Sequence, residues 1–392
     1  MKSVIRKFTG KKKPFDIDGD GKVSMSDLAA IFTGYRHKEA TSADFVKERA
    51  AEIWGNNEHH FMLLSARIQK RKTQAKSLLR KIFRGEKDNK IEKIVKTVLK
   101  SIDDIELLSF QDAYAKSLTT IINTEGKLAE LNASTFMLNS QNEPKHRRAA
   151  NKFEKNLKDQ RSNQKETIEK FRKRMNLYGT DLDLDQAEVL LTRIDSADIV
   201  KLSTVFSIVQ TLTKQLALAK TSSAENIEVT KKYYGAYIGL LEIQELVQTE
   251  YLDQIDAKYL PGINSIRLKT VELMDRTKSA VSSASSDHFS SYEANISSQE
   301  YTIEVTKKYE DILTGNRLKI ENARSLVQEL IALAENTLQT VKVSADLVNL
   351  IKRSETMFDQ VIELQAPDLL PFESAELRRE FENVTMKIRS AP

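Results

Sequence analysis

Apolar residues recur along this chain at spacings of three and four, and over long distances. The clearest run is Leu326, Leu330, Leu333, Val341, Val348, Ile351, Phe358 and Ile362, with Thr337, Ala345 and Glu355 in the remaining slots. That period puts apolar side chains on one helix face and reads as a coiled-coil seam. The run belongs to a tract from Gln186 to Leu364 whose only proline is Pro261. Proline costs about 3 kcal/mol inside a helix, so a tract almost free of it allows very long helices. Within the tract IEVTKKY occurs twice, at Ile227–Tyr233 and Ile303–Tyr309, which reads as the trace of a helical duplication. Pro261-Gly262 lies between the copies and predicts a reversal there.

Upstream, Asp27–Thr33 reads as a short helix stopped by Gly34. A second runs from Ser42 or Ala43 to Trp54, closed by Gly55, with Trp54 packing on the helix before it. Phe61–Phe83 is an amphipathic basic helix. Lys72, Lys76, Arg80 and Arg84 stand four apart, while Ile68, Ala75, Leu79 and Ile82 form the opposite face. Two helices with mixed faces follow, at 89–105 and 107–138, and then a break at 139–144. The stretch from Lys145 to Leu177 is almost wholly polar and needs either water or a partner along its length. It reads as a connector, ended by Tyr178-Gly179-Thr180. Asp181, Asp183 and Asp185 fit the start of the next helix, where carboxylates meet free backbone N–H groups. The tract then opens with a nearly continuous helix over 190–255, loosened around Thr221-Ser222-Ser223 and Gly235. A Ser- and Ala-rich stretch at 279–298 reads as either a hinge or a close helix contact. Pro367 and Pro371 end the tract before a short amphipathic helix at 373–389.

Together these elements predict an all-α fold: an elongated antiparallel bundle of long helices, or coiled coil, with a small calcium loop near the N-terminus. The expected segments are a basic arm (1–13), the calcium segment (14–56) and an amphipathic helical domain (57–143). A polar connector (144–180), the rod (181–366, hairpin tip near 261) and a C-terminal helix (367–392) follow. Composition agrees with long solvated helices: of 392 residues 30% are charged and 7% aromatic, with only 12 Gly and 6 Pro. There is no cysteine, which excludes disulfides, thiol nucleophiles and thiolate metal sites. The basic N-terminus lacks the apolar core of a signal peptide, and no uncharged apolar run approaches the roughly 20 residues that span a bilayer. A cytoplasmic location is therefore expected.

The sharpest chemistry is Asp16–Asp27, DIDGDGKVSMSD. Calcium takes six to eight oxygens at about 2.3–2.6 Å, and alternate aspartates bring several to one point. Asp16, Asp18 and Asp20 stand at loop positions one, three and five. Gly21 supplies the turn at six, Lys22 a backbone carbonyl at seven, Ser24 the ninth position and Asp27 the twelfth. The phrase resembles an EF-hand loop. Its Asp at twelve, and the Gly10 and Pro14 in the flank before it, resemble the dockerin type. That resemblance implies bound Ca2+. Glu58, His59 and His60 do not have zinc-ligand spacing, because adjacent histidines on a helix point apart.

The stretch TIEVTKKYEDILTGNRLKIENARSLVQELIALAENTLQ resembles the C-terminal region of the toxic-anion-resistance, or TelA-like, family. The resemblance implies an intracellular helical protein linked to tellurite tolerance, with no catalytic residues to carry over. No nucleotide-binding loop, nucleophile motif or histidine–carboxylate cluster stands out, so catalysis is not expected. The leading expectation is a calcium-binding helical scaffold that meets a protein partner, or itself, through coiled-coil helices. A second is a membrane-associated or membrane-active helical protein touching anionic lipid through Lys72, Lys76, Arg80 and Arg84. A third is a structural component of a virion or secreted assembly. The net charge of +5 is small for this length and few aromatics accompany the basic residues, so nucleic acid is not an expected partner.

Overall fold

The computed structural model describes residues 42–70, 89–135, 143–221, 227–281, 289–343, 359–361 and 374–389. All the longer elements are helices, and no strand occurs among the described residues. The calcium loop, the basic arm, Lys72, Lys76, Arg80, Arg84, Pro367, Pro371 and the seam beyond Val343 lie outside those residues.

The first helix, α1 (Ser42–Lys70), runs straight through the stop expected at Gly55. Gly55 is exposed with open space around it, so nothing there forces a break. Instead Trp54 stacks on Phe61, about two turns further along the helix, with ring centroids 4.5 Å apart, and both are buried. That contact bridges the proposed boundary and offsets the roughly 1 kcal/mol that glycine costs a helix. Next come α2 (Asn89–Ile102), α3 (Ile105–Thr135) and α4 (Glu143–Leu177). The polar α4 finds its partner in α3, against which it lies antiparallel; Arg161 pairs with Glu125, and Arg174 with Asp104. It ends at Gly179, whose φ of 81° lets the Gly179 N–H reach Asn176 O and the Thr180 N–H reach Met175 O.

After α5 (Leu184–Thr192) a short turn leads into α6 (Ser196–Thr221) and then α7 (Ile227–Gln254). The single helix expected over 190–255 is thus three, with α6 and α7 side by side and antiparallel. Both are apolar around most of their circumference, and such helices fold against each other to leave water. α7 is the central element, flanked by α1, α2, α6 and the later α9. Its approach to α1 is close: a Cβ on Gly235 would fall 2.1 Å from Ser65 Oγ.

No reversal occurs at Pro261-Gly262. α7 passes through a π-helical turn (Ile255–Tyr259) directly into α8 (Leu260–Val281). Proline lacks an N–H and its ring clashes with the carbonyl four residues back. The π-turn, closed by the Leu260 N–H on Ile255 O, shifts the register just before Pro261 and lets the helix continue. Gly262 serves contact rather than turning, since a Cβ there would meet Ile388 at 2.9 Å. α9 (Phe289–Val343) runs antiparallel to α8 and then to α7. Gln299–Thr277, Arg267–Glu310, Arg317–Asp256 and Gln328–Glu245 mark the register.

Buried positions on α9 include Val305, Tyr309, Leu313, Asn316, Ile320, Val327, Leu330, Ala334, Leu338 and Val341. The three-and-four spacing holds, but its register differs from the leucine run: Leu333 is 47% exposed, while Val327, Ala334 and Leu338 face inward. Both IEVTKKY copies bury the same two letters, Thr230 and Tyr233 in one, Thr306 and Tyr309 in the other. The last helix, α10 (Ala375–Arg389), packs on α9, α8 and α5.

Candidate functional site

Polar groups converge around the start of α6. The turn between α5 and α6 carries Arg193 and Asp195, both buried, in a two-pronged ion pair with N–O distances of 2.8 and 2.7 Å. Three tyrosines are drawn to this turn. The Tyr251 hydroxyl donates to Asp195 Oδ2 (2.9 Å), and Asn316 Nδ2 reaches the Tyr251 oxygen at 3.4 Å. The Ile194 N–H donates to the Tyr309 hydroxyl, which shares a 3.0 Å hydrogen bond with Thr385. Tyr259, in the π-turn, donates to Asp198. Arg389 Nη2 closes the group on the Arg193 carbonyl at 3.1 Å. One cluster thereby ties α6, α7, the π-turn, α9 and α10 together.

Electrostatics make this cluster a fastener. Burial, and then the Asp195 carboxylate, push Tyr251 well above the ordinary tyrosine value; burial and Asp195 also raise Tyr309. Burial followed by Asp198 raises Tyr259. These phenols stay protonated at neutral pH, as hydrogen-bond donors rather than nucleophiles or bases. Burial alone would lower Arg193, but Asp195 more than compensates and its value rises. Burial raises Asp198 despite the bond from Tyr259.

A second cluster sits at the root of the α3–α4 hairpin. Asp104 caps α3, accepting from the N–H groups of Glu106 (3.0 Å) and Leu107 (3.1 Å). Its other oxygen accepts from Arg174 Nε (2.9 Å) and the Tyr178 hydroxyl (2.7 Å). Phe45 packs edge-on to Tyr178, with Arg174 over its ring at 4.7 Å. Burial would raise Asp104, yet the bonds from Tyr178, Leu107 and Arg174 hold it below the usual carboxylate range. A third contact ties α3 to the last helix: Tyr114 on α3 donates to Glu382 on α10 (3.0 Å), beside an Arg378–Glu188 pair. Burial raises both Tyr114 and Glu382.

Of the residues singled out in the sequence, Asp183 caps α5 in a reciprocal box with Gln186, at 2.7 and 3.0 Å. The His59 and His60 rings stand 6.0 Å apart at 70°. Among the described residues no three His, Asp or Glu side chains come together as a metal site, and no helix is long and apolar enough to cross a membrane. The six predicted calcium ligands, Asp16, Asp18, Asp20, Lys22, Ser24 and Asp27, lie outside those residues. Sequence reasoning missed the Arg193–Asp195 cluster. Its signal was an Arg-Ile-Asp insertion between two apolar runs, with tyrosines placed where helix seams usually carry leucine.

The geometry defines an all-α protein whose buried polar groups hold helices to one another. No protein-family model matches the chain, and neither a curated protein nor a solved structure matches it.

Proposed function

We propose that this chain is a non-enzymatic helical scaffold that presents two helical hairpins to partners and carries a calcium loop ahead of them. The observation that supports it is the use made of the interior polar groups. Arg193, Asp195, Tyr251 and Tyr309 are sealed and matched to one another, whereas a catalytic site needs polar groups converging on space that a substrate can enter. The spacing of Asp16, Asp18, Asp20, Lys22, Ser24 and Asp27 supports Ca2+ as ligand. Cytoplasmic placement and a TelA-like role in tellurite tolerance rest on the resemblance of the α9 stretch. Self-association through coiled-coil helices rests on the leucine run, whose Leu333 stays exposed on α9, as does Leu318.

Two measurements test this reading. Calorimetric titration of the full chain is expected to show one calcium site that Asp16→Ala with Asp20→Ala abolishes; absence of heat at millimolar calcium would refute the calcium assignment. Small-angle scattering with light scattering is expected to report an extended particle. A radius of gyration near the ~21 Å of a compact chain of this length would remove the rod-like scaffold.

A further inference from the structure

The distribution of charge on α4 is uneven in a way its packing does not require. Twelve of the chain's 61 Lys and Arg lie on this helix, beside five of its 56 Asp and Glu. α4 alone therefore carries more positive charge than the chain's net +5. Near the bundle these cations are matched: Lys170 to Glu166 (2.7 Å), Arg172 and Lys173 to Glu169 (2.9 and 3.4 Å), Arg174 to Asp104 (2.9 Å). Farther out only Arg161 is matched among the described residues, to Glu125 on α3 (2.6 Å). Among the described residues Arg147, Arg148, Lys152, Lys155, Lys158 and Lys165 form no ion pair, and all are exposed.

Their placement is directional. At 100° per residue, Arg147, Arg148, Lys155, Lys158 and Lys165 fall within an arc of about 100° facing away from the half-buried Phe153. Between 147 and 165 that arc otherwise holds only Asn151 and Ser162, with no carboxylate. The result is a cationic stripe about 27 Å long, with Glu154 and Asp159 flanking its edges about 20° away, on a helix whose apolar side is already covered. Like charges so arranged repel one another, and a polyanion removes that cost.

We propose that the outward face of α4, from Arg147 to Lys165, docks on the surface of an anionic lipid bilayer without inserting. Phe153, Leu157, Ile168, Phe171 and Met175 are half-buried or buried, which leaves no apolar face for insertion. A convex helix meets a plane along its whole length, so every cation of the stripe reaches headgroups at once. A nucleic-acid duplex fits less well. The stripe exposes no aromatic for stacking, and α4 paired with α3 is too broad for a groove about 12 Å wide.

Co-sedimentation of the full chain in calcium-free buffer tests this. Phosphatidylcholine vesicles containing phosphatidylserine should bind the protein, pure phosphatidylcholine vesicles should not, and high salt should release it. Lys155→Glu with Lys158→Glu should weaken binding about tenfold or more. Lys170→Glu with Lys173→Glu makes the same change in net charge on the matched part of the helix and should cost less than about threefold. Circular dichroism checks that both variants fold. Equal losses in the two variants, binding indifferent to phosphatidylserine, or tighter binding to duplex DNA in the same buffer would each overturn the proposal.

Discussion

Two buried clusters solve one problem with different chemistry. Around the start of α6, Arg193 and Asp195 are 3% and 0% exposed, and every partner of Asp195 is buried with it. At the root of the α3–α4 hairpin, Asp104 is equally hidden, but its partner Arg174 keeps a quarter of its side chain in water. Asp104 also works on the backbone, as a helix cap, which Asp195 does not combine with its ion pair in the same way. The contrast teaches that closely spaced ion pairs differ by what remains when one partner leaves. A guanidinium that can rehydrate loses little, whereas one sealed among leucines and tyrosines keeps its full desolvation cost.

The sharpest way to break the comparison is Asp195→Ala. It strands Arg193 in the interior and frees the Tyr251 hydroxyl, so a loss of about 3–5 kcal/mol in urea unfolding is expected. That is a large part of a typical domain's stability. A loss below about 1 kcal/mol would mean that Arg193 escapes to water. Asp104→Ala should cost less, about 1–2 kcal/mol, chiefly the cap on α3. Equal losses at the two sites would erase the distinction drawn here.

Acid should separate the regions by sign. Asp104 is held below its ordinary value, so its stabilisation is full above about pH 4 and is lost as pH falls through its folded value. Asp198 and Glu382 are raised by burial, so the folded state favours their protonated forms. Their contribution is greatest below about pH 4 and declines as pH rises through their folded values. Asp104→Asn should therefore flatten the acid limb of a stability profile, and Glu382→Gln should improve relative to wild type toward neutral pH. Parallel profiles for the two variants would contradict the assignment. The smallest effect is expected at Arg161→Ala. Its bond to Glu125 joins side chains 53% and 35% exposed, and such pairs contribute no more than about 1 kcal/mol.

Much of this architecture was legible in the order of residues. Alternation at three and four made the chain helical, Gly179 marked the end of α4, and the run Asp181, Asp183, Asp185 announced the start of α5. These are local facts: a cap, a positive φ and a face each need only a few neighbours in sequence. The same logic placed a turn at Pro261-Gly262 and a stop at Gly55, and there it failed. A π-turn upstream absorbed the proline, Ile388 from the far end of the chain filled the space over Gly262, and Trp54 reached across Gly55 to Phe61.

Periodicity states that a residue lies on a face but not which neighbour meets that face. Leucines 326, 330 and 333 share one pattern, yet the positions buried are 327, 330 and 334. The partners of Asp195 lie 56 residues away at Tyr251, and Arg193 meets Arg389 across 196. Contacts at such separation depend on how whole helices pack, because burial energy belongs to surfaces brought together in space. Helical character, caps and the stripe of charge on α4 were thus written residue by residue. The pairing of hairpins, the continuation through Pro261 and the sealed cluster arose only when the helices met.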